Sequence, residues 1–241
     1  FPHGDLDALE ETLRGLAPGR RRVLLAVDGI YSMDGDLAPL VEMVALARRV
    51  DAMLLLDDAH GTGTLGARGE GTAEQLGVDG GVDVVVGTLG KALGSFGAFV
   101  AGSAKLRDLL VNVARSFIFS CALAPPQLGA ARAALSLLDR EAWRRAQLRA
   151  NSERLRRLLA ERGVSTHPST THIIPVILGG NRRTMATCER LLERGFFAQG
   201  IRHPSVPEGS ARLRLTPMAT HREEELDALA DAVAEEVGKP Q

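Results

Sequence analysis

A lysine flanked by glycines is the residue of this sequence with the clearest potential for chemistry. Lys91 lies within residues 87–94, GTLGKALG, directly after the apolar run at residues 82–86. Most lysines are solvated at the surface, which is the alternative for this one. Glycines on both sides, however, let the backbone approach a ligand closely, and an amine removed from water loses its proton more easily. Such an amine can form a Schiff base with a carbonyl compound.

Polar residues after the neighbouring strand fit the same chemistry. Asp57 and His60 follow the apolar run at residues 53–56, and Thr88 precedes Lys91. Pyridoxal 5'-phosphate (PLP), a Schiff-base cofactor, needs an anion opposite its ring nitrogen to act as an electron sink. Asp57 is the candidate for that anion and His60 for a hydrogen bond to the phenolic oxygen. Thr88 and nearby backbone N–H groups are candidates for the phosphate.

Each of these residues also has a purely structural interpretation. Asp57 and Asp58 could cap the end of a strand, and His60 could be a loop histidine bonded to backbone. The three interpretations are plausible one by one. Together, beside Lys91, they are a poorer explanation than a cofactor site.

Two other patterns in this region point to other ligands. Residues 61–66, GTGTLG, match the G-x-G-x-x-G dinucleotide motif, which requires a helix to begin there. Gly69 and Gly71 follow and disfavour a helix, so we expect no nicotinamide dinucleotide site. Acid-rich turns are usually only turns, and for that reason we expect no metal at the group Asp34, Asp36, Asp57 and His60.

Short apolar runs predict the elements that position these side chains. We expect strands at residues 23–27, 53–56, 82–86 and 98–101, and helices at 38–50 and 106–114. Near-continuous apolar strands are typical of a parallel sheet covered on both faces. Asp28, Asp57 and Thr88 follow three such strands, whose carboxyl ends line the ligand crevice in open α/β sheets. The sequence therefore predicts that these residues meet at one sheet edge.

The remaining residues predict a second, smaller domain. Helix formers dominate residues 125–163, and we place the domain boundary at residue 138. The later elements are a strand, a helix, a strand and a helix, at residues 173–178, 182–194, 212–215 and 221–237. The expected fold is α/β, with residues 1–138 in a large domain and 139–241 in a small α+β domain.

Composition excludes several classes of function. The chain has 241 residues, 45% of them hydrophobic, and a net charge of −1. Nothing in this balance favours nucleic acid or a membrane as a partner. Cys121 and Cys188 give no disulfide framework or zinc spacing, so we expect a cytoplasmic setting. The sequence begins at Phe1, without Met or signal peptide, so we expect an N-terminally truncated chain.

Five segments together resemble a known family. They are DGIYSMDGD at 28–36, LDDAHGTG at 56–63, GTLGKALG at 87–94, RSFIFS at 115–120 and RLRLT at 212–216. In this order they are similar to motifs of the α-oxoamine synthases, which are PLP-dependent transferases of fold type I. The resemblance covers essentially the whole chain. It implies the aspartate-aminotransferase-like fold, a mostly parallel sheet with helices on both faces and a small C-terminal α+β domain.

The resemblance assigns catalytic roles to three residues. Lys91 would bond to PLP and later remove the α-proton of the substrate. Asp57 would pair with the ring nitrogen, and His60 would contact the phenolic oxygen. Residue chemistry alone suggests the same contacts with PLP, whereas the removal of the α-proton by Lys91 follows only from the resemblance.

Four further roles follow from the resemblance, and of these only that of Thr88 is also suggested by residue chemistry. Ser32 and Thr88 would lie beside the cofactor, Thr88 at its phosphate. Arg214 would hold the carboxylate of the substrate. Ser120 would reach the phosphate of the neighbouring subunit, because active sites of the family lie at a homodimer interface.

The reaction implied joins an amino acid to an acyl thioester and releases CO2. Residues 60–63, 115–119 and 201–207 resemble the branch that makes 8-amino-7-oxononanoate for biotin from L-alanine and pimeloyl-CoA or a pimeloyl-carrier protein. Residues 87–94 resemble at least as well the glycine C-acetyltransferase branch, which makes 2-amino-3-ketobutyrate. Asp28, where the biotin branch often has Glu, also favours the latter. The serine palmitoyltransferase and 5-aminolevulinate synthase branches are further alternatives.

Two other features bear on activity. The family has a segment before the position of Phe1 that supplies a ring-stacking histidine and a phosphate contact, so we expect residues 1–241 alone to be inactive. The family also contains catalytically inactive partner subunits, which characteristically lack the Schiff-base lysine. Because Lys91 is present, the sequence favours an enzyme.

Overall fold

The computed structural model describes residues 1–16 and 19–238, which form two compact units. Unit 1 comprises Phe1–Ile30 and Leu37–Ala142, and unit 2 comprises Tyr31–Asp36 and Trp143–Gln241. The predicted boundary at residue 138 lies inside a helix of unit 1, and the grouping changes after Ala142. The division into domains at residue 138 stays a prediction.

Unit 1 contains a four-stranded sheet whose strands are neighbours in chain order. Strands β1 (Leu24–Asp28), β2 (Met53–Asp57) and β3 (Val84–Thr88) are parallel, and β4 (Ala98–Gly102) pairs antiparallel with β3. The four predicted strands are thus confirmed. The third begins later than predicted, because Asp83 instead accepts a hydrogen bond from the Leu54 N–H at 2.8 Å.

The described helices of unit 1 precede, separate and follow these strands along the chain. They are α1 (Leu6–Leu16), α2 (Leu40–Arg49), α3 (Thr72–Leu76), α4 (Ala104–Val113), α5 (Arg115–Ile118) and α6 (Pro125–Arg140), with a 3₁₀ helix at Asp79–Gly81. Buried residues of α2 recur at helical spacing, which explains the confirmed prediction of a helix there. Within the described ranges, no helix has the length and apolarity needed to cross a membrane.

Strand β1 has one covered face within this chain. Its residues alternate between exposed and buried, and Leu24 is 56% exposed. Leu25 and Val27 are buried, which is the pattern of a strand with one covered face.

Unit 2 contains a three-stranded antiparallel sheet in the order β5, β7, β6. Its strands are β5 (Ile174–Gly179), β6 (Gln199–Ile201) and β7 (Ala211–Leu215), and its helices are α7 (Trp143–Glu161), α8 (Asn181–Glu193) and α9 (Glu223–Gly238). A buried cluster that includes Leu159, Ile174, Leu213 and Val233 joins helices to sheet. The predicted α+β organisation is confirmed, with β6 as an addition.

Candidate active site

The carboxyl ends of the parallel strands bring polar residues to one edge of the unit 1 sheet. Asp28 ends β1, Asp57 ends β2, and the register pairs these two residues directly. Thr88 ends β3, just beyond Val86, which pairs with Asp57. The predicted convergence of three strand ends is therefore observed, and it depends on the parallel register.

The loop that carries Lys91 is shaped by the residue that ends β3. The Leu89 N–H donates to the Gly97 carbonyl at 2.8 Å. The Thr88 hydroxyl donates to the same carbonyl and accepts from the Gly90 N–H, both at 3.1 Å. Thr88 thus closes the base of the lysine loop, a role that the sequence did not predict.

Lys91 lies against His60, which comes from the turn after β2. The Lys91 Nζ and His60 Nε2 atoms are 3.1 Å apart, within hydrogen-bond distance. The Thr64 hydroxyl donates to the His60 carbonyl at 2.7 Å and helps to fix that turn. The structure therefore brings together the predicted lysine and histidine from different strands.

Asp28 interacts electrostatically with both Asp57 and Lys91 at this edge. Burial raises the pKa of Asp28, the charge of Asp57 raises it further, and Lys91 opposes the shift. The Asp57 Oδ1 atom accepts a hydrogen bond from the Ala59 N–H at 3.0 Å. Asp57 therefore also caps the end of β2, which is its structural interpretation. Coupled groups of this kind are characteristic of functional sites.

Asp58 is a buried carboxylate to which the sequence analysis gave no chemical role. It is 1% exposed, and it accepts hydrogen bonds from the Thr72 N–H at 2.8 Å and the Thr72 hydroxyl at 2.5 Å. Burial raises the pKa of Asp58, and the bonds from Thr72 oppose that effect. The glycines at 61 and 71, which lie against this carboxylate, were the sequence signal that could have revealed it.

The dinucleotide-like segment does not lead directly into a helix. Residues 61–66 form turns, with φ of +83° at Gly63 and +84° at Gly66, and α3 begins only at Thr72. The helix N-terminus that a dinucleotide phosphate requires is therefore not formed at the third glycine of the motif.

Arg214 and Ser32 are neighbours within unit 2. The Arg214 Nε atom donates to the Ser32 carbonyl at 2.7 Å, and burial lowers the pKa of the guanidinium. Arginine nevertheless keeps its charge in proteins. Neither Nη atom makes a hydrogen bond to another described residue. The side chain therefore combines a fixed Nε with an available fork of donors.

Two further basic residues lie around Arg214, and sequence reasoning missed both. Burial, reinforced by the charges of Arg214 and Arg156, lowers the pKa of His172 to about 4. The Arg156 guanidinium donates to the Thr171 carbonyl. His172 is therefore neutral near pH 7, and these two residues come from elements whose proximity to β7 the sequence does not reveal.

An ion pair attaches residues 31–36 to β7. Arg212, with 5% of its side chain exposed, bonds to Asp34 at 2.6 Å and to the Met33 carbonyl at 3.1 Å. Asp34, at which the sequence predicts no metal, is thus part of an ion pair within unit 2. This pair is one of several contacts that join Tyr31–Asp36 to the rest of unit 2.

Ser120 lies in an exposed segment after α5. Its hydroxyl donates to the Phe117 carbonyl at 3.4 Å, a long and weak contact. The described residues give it no link to the Lys91 edge, and its role at the phosphate of a neighbouring subunit stays a prediction.

Comparison with known proteins identifies the family. The family described as aminotransferase class I and II matches residues 1–233, and the chain belongs to it. Two curated relatives bear the name 8-amino-7-oxononanoate synthase. That of Geobacter sulfurreducens is 50% identical over 241 residues, covering 99% of this chain and 61% of the relative. That of Geobacter metallireducens is 51% identical, with the same coverage.

Solved structures confirm the fold expected from the resemblance. A serine palmitoyltransferase from S. paucimobilis, with bound PLP–myriocin aldimine, superimposes with a TM-score of 0.92 and 30% identity. The superposition covers 99% of this chain and 61% of that protein. The chain thus has the fold of the fold type I transferases, and it spans about three fifths of the length of its relatives.

Proposed function

We propose that the complete gene product is a PLP-dependent synthase that condenses L-alanine with a pimeloyl thioester. The products are 8-amino-7-oxononanoate, CO2 and the free thiol carrier, either CoA or acyl-carrier protein. The observation that carries this proposal is the Lys91–His60 contact at 3.1 Å beside the paired Asp28 and Asp57. The chain that holds this arrangement is about half identical to relatives named for the same product.

The donor set at the sheet edge fits PLP. Lys91 offers an amine for the carbonyl carbon of the cofactor, Asp57 an anion for the ring nitrogen, and His60 a donor for the phenolic oxygen. Thr88 is the candidate for the phosphate, which would accept its hydroxyl proton in place of the Gly97 carbonyl. Ser32 is a further candidate, from the family resemblance.

The protein groups at this edge have distinct tasks. When bound, PLP withdraws electrons from the α-carbon of the amino acid. The Asp57 carboxylate would keep the proton on the ring nitrogen, and the His60 imidazole would donate to the phenolic oxygen. The Lys91 Nζ atom takes the α-proton, which leaves the α-carbon able to attack the thioester carbonyl.

Arg214 is assigned to the carboxylate of the amino acid. A guanidinium fork matches a carboxylate in two parallel hydrogen bonds, and the Nη atoms of Arg214 are available for them. Because Nε is already bonded to the Ser32 carbonyl at 2.7 Å, the fork is held in one orientation. This arrangement would orient the substrate until its carboxylate leaves as CO2.

A homodimer with shared active sites is part of the proposal. Phe117 is 65% and Phe119 75% exposed, beside the exposed Ser120, and clustered apolar exposure of this kind favours a protein interface. Ser120 would then reach the phosphate site of the neighbouring subunit. The cytoplasmic location is likewise proposed, from the two free cysteines.

The proposed function is tested by turnover of the complete gene product loaded with PLP. L-alanine and glycine are each paired with pimeloyl-CoA and acetyl-CoA, and release of free CoA is followed with mass spectrometry of the product. We expect L-alanine with pimeloyl-CoA to give the highest kcat/KM. Preference for glycine with acetyl-CoA would instead support the alternative branch, and no turnover with any pair would refute an α-oxoamine synthase.

A further inference from the structure

We infer that Asp58 is a positioning residue for the proposed PLP site. Its buried carboxylate fixes the turn that carries Asp57 and His60 by binding Thr72 at the start of α3. The inference rests on the proposed function, because it assigns Asp57 and His60 to the cofactor. Asp58 itself is buried and is not assigned any contact with cofactor or substrate.

Three glycines from three segments leave space for this carboxylate. A Cβ atom on Gly71 would lie 1.8 Å from the Asp58 Oδ2 atom, and one on Gly61 would lie 2.1 Å from Oδ1. A Cβ on Gly29, which follows β1, would lie 2.6 Å from Oδ1. These distances are too short for any side chain, so the surrounding backbone is shaped around an acidic group at residue 58.

The main chain of Asp58 is fixed as firmly as its side chain. Its N–H donates to the Val86 carbonyl of β3 at 2.8 Å. Its own carbonyl accepts from the Gly61 N–H at 3.1 Å and from the Thr62 N–H at 2.9 Å. Asp57 and His60 belong to this same turn, so a displacement of Asp58 would move both.

The two bonds from Thr72 explain why the residue is an acid. The backbone N–H and the hydroxyl of Thr72 are both donors, and a carboxylate offers two acceptor oxygens. Asparagine has nearly the same shape but replaces one acceptor with an NH2 donor. It would therefore lose one of the two bonds and place a donor against a donor.

The first test is Asp58→Asn in the PLP-loaded gene product. We expect kcat to fall about 10- to 100-fold, as for a small displacement of catalytic groups, with KM for L-alanine changed less than about threefold. The pH midpoint of the visible absorption band of bound PLP should also shift by about half a unit or more, because Asp57 and His60 set the ionisation of the ring. A purely structural role would leave that midpoint unchanged.

A matched control separates positioning from loss of stability. Leu13 is a buried residue of α1, 3% exposed, and Leu13→Ala removes core contacts away from the strand ends. We expect this variant to lower the Tm but to keep the kcat and the absorption midpoint of the unaltered protein. If the Asp58→Asn kcat falls only as far as that of a Leu13→Ala protein with equal Tm loss, and the midpoint is unchanged, the inference is overturned.

Variants of Thr72 decide the matter if Asp58→Asn does not fold. Thr72→Val removes the hydroxyl donor at similar volume, whereas Thr72→Ser keeps both donors. We expect Thr72→Val to lower kcat and to shift the pH midpoint of the absorption band. Thr72→Ser should keep both values close to those of the unaltered protein. Equal values for the two variants would overturn the inference. Absence of PLP binding and turnover in the unaltered protein would instead refute the proposed function, and the inference with it.

Discussion

At the scale of single residues, two adjacent aspartates have different environments and should respond differently to substitution. Asp57 lies at the strand end opposite Asp28, whereas Asp58 is enclosed by protein. A neutral amide at residue 57 cannot keep a ring nitrogen protonated, so Asp57→Asn should lower kcat about 100-fold or more while PLP still binds. Steady-state kinetics and the PLP absorption spectrum measure this. A near-normal kcat would show that Asp57 only caps its strand.

Arg214 provides a second residue-scale prediction. Lysine carries the same charge but cannot make two parallel hydrogen bonds to a carboxylate. Arg214→Lys should therefore raise KM for L-alanine about tenfold, with a smaller effect on KM for the thioester. An unchanged KM for the amino acid would identify Arg214 as a structural residue that only supports the Ser32 carbonyl.

His172 predicts how stability depends on pH. Its pKa is about 4 in the folded chain and 6.5 in the unfolded chain, so the unfolded state binds the proton first as pH falls. The contribution of His172 is therefore constant above pH 6.5 and is lost progressively between pH 6.5 and 4. Between pH ~7.5 and ~5 the loss in unfolding free energy should be about 2 kcal/mol.

Urea unfolding of His172→Gln at both pH values measures this contribution. The variant should lose about 2 kcal/mol less than the unaltered protein between the two pH values. His167→Gln, which replaces an exposed histidine of unit 2, is the matched control for the loss of a histidine. Equal pH dependence in His172→Gln and the unaltered protein would show that His172 is not held neutral.

At the scale of elements, two glycines with the same φ angle distinguish two effects of adding a side chain. One effect is backbone strain, and the other is a steric clash with a neighbouring residue. Gly35 and Gly163 both have φ of +73° and both belong to unit 2. A Cβ on Gly35 would lie 1.9 Å from the Ile173 carbonyl oxygen, whereas one on Gly163 meets nothing within 4 Å. Gly163→Ala should cost about 1 kcal/mol from backbone strain alone, and Gly35→Ala at least about 2 kcal/mol more.

Urea unfolding followed by the fluorescence of Trp143, the first residue of α7, measures both glycine variants. The exposed tryptophan is the single one in the chain and reports on unit 2. Equal destabilisation by the two substitutions would mean that the contact between Gly35 and Ile173 does not constrain the segment 31–36.

Apolar runs predicted most strands and helices, and the exceptions have physical reasons. Strand β6 (Gln199–Ile201) is three residues long and offers too little alternation to recognise. Helix α1 was not predicted, although Leu9 and Leu13 have the spacing of a buried helical stripe. The antiparallel direction of β4 depends on its short connection to β3 through the lysine loop, which apolar patterns do not encode.

At the scale of the whole molecule, the sequence predicted which candidate residues lie together better than it predicted the contacts that hold them. Lys91, Asp57 and His60 could be predicted because strand ends of a parallel sheet meet at one edge. The Arg212–Asp34 pair and the bond from Thr72 to Asp58 could not, because neither pair joins the carboxyl ends of two neighbouring strands. Predicting such pairings requires either a structure or a sequence motif that contains both partners. This sequence offered only Gly61 and Gly71, which lie against Asp58.

The central claim, that Lys91 is the PLP lysine, has a direct test. Borohydride reduces the bond between a lysine nitrogen and the cofactor to a stable amine, and peptide mapping of the reduced gene product then locates the labelled residue. We expect the label on Lys91 alone, with the exposed Lys105 of α4 unlabelled as an internal control. Label on Lys105 or any other lysine, or no label under conditions where PLP is bound, would contradict the account.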